Sequence, residues 1–260
     1  MLVVGLLSIS FIGSYLCGPA FTILNDLKPV TSNQEPATNI FEEGQLLLIN
    51  KPLRWTSFDA VNKIRNLIRV KKVGHAGTLD PLATGLLIIC TGRFTKKINE
   101  YMAQEKEYTG TFTFGATTPT YDLESIPGNF KPFKHLTEAG IKSAAINFTG
   151  EIMQVPPAHS AIKVEGKRVY ELARQGKEVK LEPRKINIKE FEIIKMELPV
   201  ADFRVVCTTG TYIRSLANDL GAALGCGAYL SSLCRTRIGN FLVQDAMTPE
   251  EFEKKIKAGL

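Results

Sequence analysis

Asp80 has the most suggestive chemical setting in this chain. It stands in Gly74-His75-Ala76-Gly77-Thr78-Leu79-Asp80-Pro81-Leu82-Ala83-Thr84-Gly85, a run of small and turn-forming residues. Glycines at 74, 77 and 85 admit backbone shapes and close approaches that a side chain would block. Pro81 fixes its own φ and pushes Asp80 toward an extended conformation. A carboxylate held this way either caps a turn or is positioned for chemistry. On residue types alone, Tyr108 and Arg214 have plain structural readings. Tyr108 sits on an alternating run, where an aromatic usually belongs to the core. Arg214 follows the apolar Ile213 near a helix start, where an exposed position is equally natural.

The elements that must hold these residues are partly legible. Gln45 to Asn50 reads as a short strand running into Lys51-Pro52. Thr56 or Ser57 then caps a helix whose apolar face is Phe58, Val61, Ile64 and Ile68. The other face carries Lys63, Arg65 and Arg69, followed by Lys71-Lys72, either a solvated face or a phosphate-contacting one. Leu86 to Cys90 reads as a buried strand. From Lys106 the chain alternates, with Tyr108, Phe112 and Phe114 on one side and Thr109, Thr111 and Thr113 on the other. Ile186–Met196 and Asp202–Thr208 read as strands, and Thr211–Leu224 as a helix burying Ile213, Leu216, Leu220 and Leu224. Strands and helices without a regular βαβ rhythm, and without a Gly-rich dinucleotide loop, point to an α+β fold with a mixed or antiparallel sheet.

Composition narrows the function. The 260 residues carry a net charge of +6, with 44% hydrophobic and 22% charged residues. Residues 1–44 hold one lysine against four acids, a net −3, which leaves +9 on the remainder. That excess suits a polyanionic partner. The cysteines at 17, 90, 207, 226 and 234 and the histidines at 75, 135 and 159 stand singly, without zinc spacing. Neither a disulfide framework nor a metal site is expected, and the implied compartment is reducing. Leu2 to Phe21 is free of charge and resembles a signal-peptide core or a short membrane span. No Lys or Arg precedes Lys28, and Ser14-Tyr15-Leu16 does not suit lipidation at Cys17. Residues 25–44 read as a polar linker. The preferred reading of residues 1–44 is an extension foreign to the folded part, with a membrane anchor as the alternative.

The Gly74–Gly85 stretch, Lys51-Pro52 before it, and Gly210-Thr211-Tyr212-Ile213-Arg214 and Leu233-Cys234-Arg235 after it resemble the TruB family, the bacterial tRNA pseudouridine-55 synthases. Val155 to Lys163 and Gly166 to Gly176 resemble it as well. The likeness runs from about Gln45 to about Met247, with its motifs in order. It implies the pseudouridine synthase fold, α+β with a central mixed/antiparallel sheet flanked by helices. It divides the chain into an extension at 1–44, a catalytic domain at 45–250 and a short tail at 251–260. The implied activity is isomerisation of uridine to pseudouridine at position 55 of the tRNA T-loop, with the base flipped out. No cofactor and no metal is called for, because the reaction involves no redox change and no energy source. The partner is tRNA through its T-arm, the expected state a monomer and the location cytoplasmic.

Residue by residue, the resemblance makes Asp80 the catalytic carboxylate and Arg214 the partner that keeps it ionised. Tyr108 becomes the tyrosine that stacks on the uracil and could take the C5 proton. Tyr212 and Leu233 match further pocket residues, and Lys51 matches a lysine supporting the catalytic loop or a phosphate. His75 matches a histidine that helps hold the RNA loop open. Lys163, Lys167, Arg168 and Arg174 would be phosphate contacts. The sequence departs from the family in two places. Many members continue into a C-terminal RNA-binding domain of the PUA type, for which the residues before Leu260 leave no room, so weaker tRNA affinity is expected with catalysis intact. Ala76 stands where relatives often have Thr. A tRNA-folding helper that uses the same cleft and a membrane-anchored protein are the competing readings.

Overall fold

The structure is a computed structural model and describes residues 39–158, 163–164, 167–168 and 181–259. Its centre is a nine-stranded sheet. In spatial order the main path is β1 (Leu46–Lys51), β3 (Ala83–Thr91), β10 (Ala228–Ile238), β4 (Lys106–Phe114), β9 (Val200–Cys207), β8 (Arg184–Glu197) and β5 (Gly150–Gln154). β2 (Val73–His75) pairs with β3, and β11 (Phe241–Leu242) with β10. Only β3 and β10 run parallel; every other pair in the sheet is antiparallel. The α+β fold with a mixed sheet follows the sequence expectation. A separate hairpin joins β6 (Lys163–Val164) to β7 (Lys167–Arg168).

The sheet is covered differently along its width. At the β1–β3 end both faces are buried. Leu47, Ile49, Leu87 and Ile89 pack under the helices Ser57–Ile68 and Pro249–Lys257, while Leu46, Leu48, Leu86 and Ile88 pack against Tyr101 and Ile238. That double burial explains the unbroken apolar run of β3, the signature of a strand covered on both sides. Toward β4 and β9, among the described residues, helices cover only one face. Phe112 and Phe203 stack there with centroids 4.0 Å apart, beneath Leu216 and Leu220 of the helix Ile213–Ala223 and Ile141 of the helix Glu138–Ile146. The other face of β4 presents Thr109, Thr111 and Thr113, with Thr111 bonded to Ser231 and Ser232. Here the alternation seen in the sequence is real.

Two expectations are corrected. Phe58 is 62% exposed, not on the buried face of its helix. Val61, Ile64 and Ile68 set the phase, and in that phase Ser57 and Ala60 take the inward positions while Phe58 points away. Residues 251–260, expected as a short tail, instead belong largely to the helix Pro249–Lys257. Thr248 and Glu251 cap it reciprocally, and Phe252 is 0% exposed. The cationic face of the first long helix is also tied into the fold: Lys63 pairs with Glu253, and Arg65 donates to Asn62 and to Val73 O. Among the described residues no helix is long and apolar enough to cross a membrane. The Leu2–Phe21 segment and the reading of residues 1–38 lie outside the described residues.

Candidate active site

Asp80 lies on the crossing between β2 and β3, and four separate groups fix that crossing. Ser57, at the start of its helix, accepts from Leu79 N–H at 2.8 Å and donates to Leu79 O at 3.2 Å. The buried Arg235 of β10, 1% exposed, donates to the carbonyls of Leu86 at 2.8 Å, Gly77 at 3.1 Å and Thr78 at 3.4 Å. Arg54 N–H donates to Pro81 O at 2.7 Å, and Ala83 N–H to Asp80 O at 3.0 Å. Glycine is required at two points of the run. Gly77 has φ +97°; Gly85 has φ +102°, and a Cβ there would stand 2.7 Å from Arg235 N, where β3 and β10 pair.

Arg214, in the first turn of the helix Ile213–Ala223, reaches across to this crossing. Its Nε lies 2.9 Å from Asp80 Oδ2, and its Nη1 donates to Thr120 O at 3.2 Å. It is buried, so the exposed reading of this residue is wrong. A second carboxylate shares the arginine: Asp122 Oδ2 is 3.6 Å from Nε. Asp122 is itself buried and accepts from Thr120 Oγ1 at 2.6 Å and from Glu124 N–H at 3.0 Å. Asp80 keeps 37% of its side-chain surface open. Its carboxyl nonetheless titrates above the ordinary range. Burial of the group raises it, Arg214 pulls it back, and the charge on Asp122 adds to the rise. With two carboxylates on one guanidinium, the arginine orients Asp80 more than it keeps it acidic.

Asp80, Tyr108, Tyr212, Arg214 and Leu233 line a single cavity of about 280 Å³, with Arg235 and Lys106 also in its wall. That size suits one planar base with its sugar, at the small end of ligand sites, which run from roughly 300 to 1,000 Å³. Burial pushes the Tyr108 phenol up, and Arg235 opposes the shift. Tyr108 therefore presents a protonated hydroxyl and a ring face at neutral pH. Lys51 is buried below the crossing, where its ammonium donates to the carbonyls of Pro52 at 3.0 Å and Trp55 at 2.6 Å. Desolvation lowers Lys51 to about 8, with Asp80 pulling the other way. Its contacts support the backbone entering the helix Ser57–Ile68. His75 lies in β2, half-buried, and does not line the cavity; burial lowers its pKa.

Lys163, Lys167 and Arg168 occupy the β6–β7 hairpin, described for its backbone only. Arg174 lies outside the described residues. Sequence reading missed Asp122, Lys106 and the clamping role of Arg235. Arg235 was visible in Leu233-Cys234-Arg235, whereas Asp122 stands in a loop whose residue types carry no pattern.

Comparison with known proteins identifies the family of the chain. The N-terminal domain of TruB family pseudouridylate synthases matches residues 65–213, and the tRNA pseudouridylate synthase B C-terminal domain matches residues 214–258. A tRNA pseudouridine synthase B of Flavobacterium johnsoniae is 54% identical over 222 residues, covering 83% of this chain and 97% of that protein. One of Parabacteroides distasonis is 52% identical over 219 residues, covering 82% and 93%. Among solved structures, a Cbf5–Nop10–Gar1 complex superposes with a TM-score of 0.65 at 26% identity, over 90% of this chain and 65% of that one.

Proposed function

The chain belongs to the TruB family, whose relatives isomerise uridine to pseudouridine in tRNA, and from that membership and the cavity at Asp80 we propose a specific reading of its site. It acts on uridine 55 of the T-loop, and Asp80 is its catalytic carboxylate. The observation that carries the reading is the convergence of Asp80, Arg214, Tyr108, Tyr212 and Leu233, from distant stretches of sequence, on one base-sized cavity.

The reaction breaks the bond between N1 and C1′, turns the detached uracil, and joins C5 to C1′, with the C5 proton lost and N1 protonated. Atoms balance without any further reagent. Residues 45–250 do this work. The target base leaves its stack and enters the cavity, a step that costs a few kcal/mol and is offset by stacking and backbone contacts. Tyr108, Tyr212 and Leu233 hold the free uracil. Arg214 directs Asp80 at the sugar–base junction. Tyr108 acts first as a stacking surface, since a phenol pushed up by burial is a reluctant base. His75 and the basic residues Lys163, Lys167, Arg168 and Arg174 contact the RNA outside the cavity, and Lys51 supports the loop. The enzyme works as a cytoplasmic monomer on the T-arm.

The test is pseudouridine formation in an in vitro tRNA transcript, mapped by position, for wild type and Asp80→Asn. One product at position 55, absent with the variant, is expected. Product at another uridine would move the substrate. Tight binding without any product from wild type would favour a folding helper.

A further inference from the structure

The helix start that carries Arg214 is held by an edge strand and not by its own cap. Tyr212 is the N-cap residue, and its side chain makes no capping hydrogen bond. Instead Gln154, the last residue of β5 and 2% exposed, grips the Tyr212 backbone from both sides. Its Oε1 accepts from Tyr212 N–H at 2.8 Å, and its Nε2 donates to Tyr212 O at 3.1 Å. The next residue adds a strap: Ser215 Oγ donates to Val155 O at 2.8 Å. Three hydrogen bonds thus fasten residues 154–155 to the residues on either side of Ile213 and Arg214. A primary amide alone supplies donor and acceptor in this one plane without a charge. The turn before Tyr212 borders the cavity: Gly210 has φ +88°, a Cβ there would meet nothing, and Thr211 Oγ1 donates to Thr208 O at 3.0 Å.

We propose that Gln154 is a positioning residue for the isomerisation, which sets, through the backbone of Tyr212, where the helix start places Arg214 against Asp80. The proposal rests on the functional reading above. The Arg214–Asp80 contact is already at hydrogen-bond length, 2.9 Å, so a displaced helix start loosens it directly. Tyr212 would shift out of the cavity wall with it. Contacts to RNA outside the cavity would stay.

The experiment measures single-turnover pseudouridine formation on a tRNA transcript from pH 5 to 8, with tRNA affinity by filter binding, for wild type, Gln154→Met and Gln154→Glu. Gln154→Met keeps the volume and removes both hydrogen bonds. Its rate constant should fall about 10- to 100-fold, the size expected of a small misplacement, with tRNA Kd within about twofold. Its acid limb should move to higher pH, because Asp80 loses part of the pull of Arg214. Gln154→Glu keeps the acceptor but sets a buried carboxylate oxygen against Tyr212 O, and should fall at least as far as Gln154→Met. A wild-type rate with Gln154→Met, or rate and affinity falling together with the acid limb unmoved, would overturn the proposal. If Gln154→Met does not fold, Ser215→Ala decides: a reduced rate at unchanged affinity supports the brace, and an unchanged rate overturns it. A wild type that makes no pseudouridine in tRNA sinks the functional reading itself, which an unaffected Gln154→Met beside an active wild type does not.

Discussion

At the scale of residues, the site is one guanidinium between two carboxylates. The Asp80 carboxyl is more expensive to ionise in the folded chain than in water, since its pKa lies above the usual carboxylate value. An acid shifted this way holds its proton more tightly when folded. The penalty is absent well below the unfolded value of about 4, grows as pH climbs from there toward the folded value, and is complete above the folded value. Asp80→Asn should therefore cut pseudouridine formation by about 1,000-fold or more, yet raise the melting temperature at pH 7 and not at pH 3. A variant that melts lower at pH 7 would contradict the desolvation account. Arg214→Lys keeps the charge and loses the planar fork that serves Asp80, Asp122 and Thr120 together. Its rate should drop about 100-fold, with the acid limb of the pH profile displaced upward as Asp80 loses its partner.

Elements explain why these side chains meet. The crossing between β2 and β3 has no regular structure of its own and borrows rigidity from its neighbours: Ser57 at a helix start, Arg235 on β10, and Gln154 at the end of β5 for the facing helix. Ser57→Ala leaves the buried Leu79 peptide without its partner, so unfolding free energy should drop by about 1–3 kcal/mol, and turnover should fall with it. Urea denaturation beside a rate assay separates the two effects. The helix Pro249–Lys257 closes one face of β1 through Phe252. Phe252→Ala should cost about 3–5 kcal/mol in the same denaturation experiment while leaving the substrate position unchanged in whatever protein stays folded. An effect under 1 kcal/mol would mean that this helix is an appendage.

Across the whole molecule, charge governs the encounter with RNA. The excess of +9 beyond residue 44 is a sequence property. Each phosphate neutralised contributes about −0.7 to −0.9 to the slope of log affinity against log salt. With three or more such contacts, tRNA affinity should weaken at least about 100-fold between 50 and 500 mM salt; a flat response would remove the electrostatic part of the reading.

The sequence alone determined much of this protein. Motif order identified the family, a period-two run located β4, and strand-like runs located β8 and β9. Apolar residues at helical spacing located the helices at Ser57 and Ile213, because each of these elements buries one face and its pattern is local. β10 escaped because bulges at Leu230/Ser232 and Arg235/Arg237 break its alternation. The helix at Pro249 was taken for a tail because its charges hide a single anchoring phenylalanine. Only the tertiary structure decided that Arg214 is buried, that Asp122 shares it with Asp80, and that Gln154 and Arg235 hold the frame. Those relations join residues far apart in the chain, and a buried polar group is recognised by its partners, not by its neighbours in sequence.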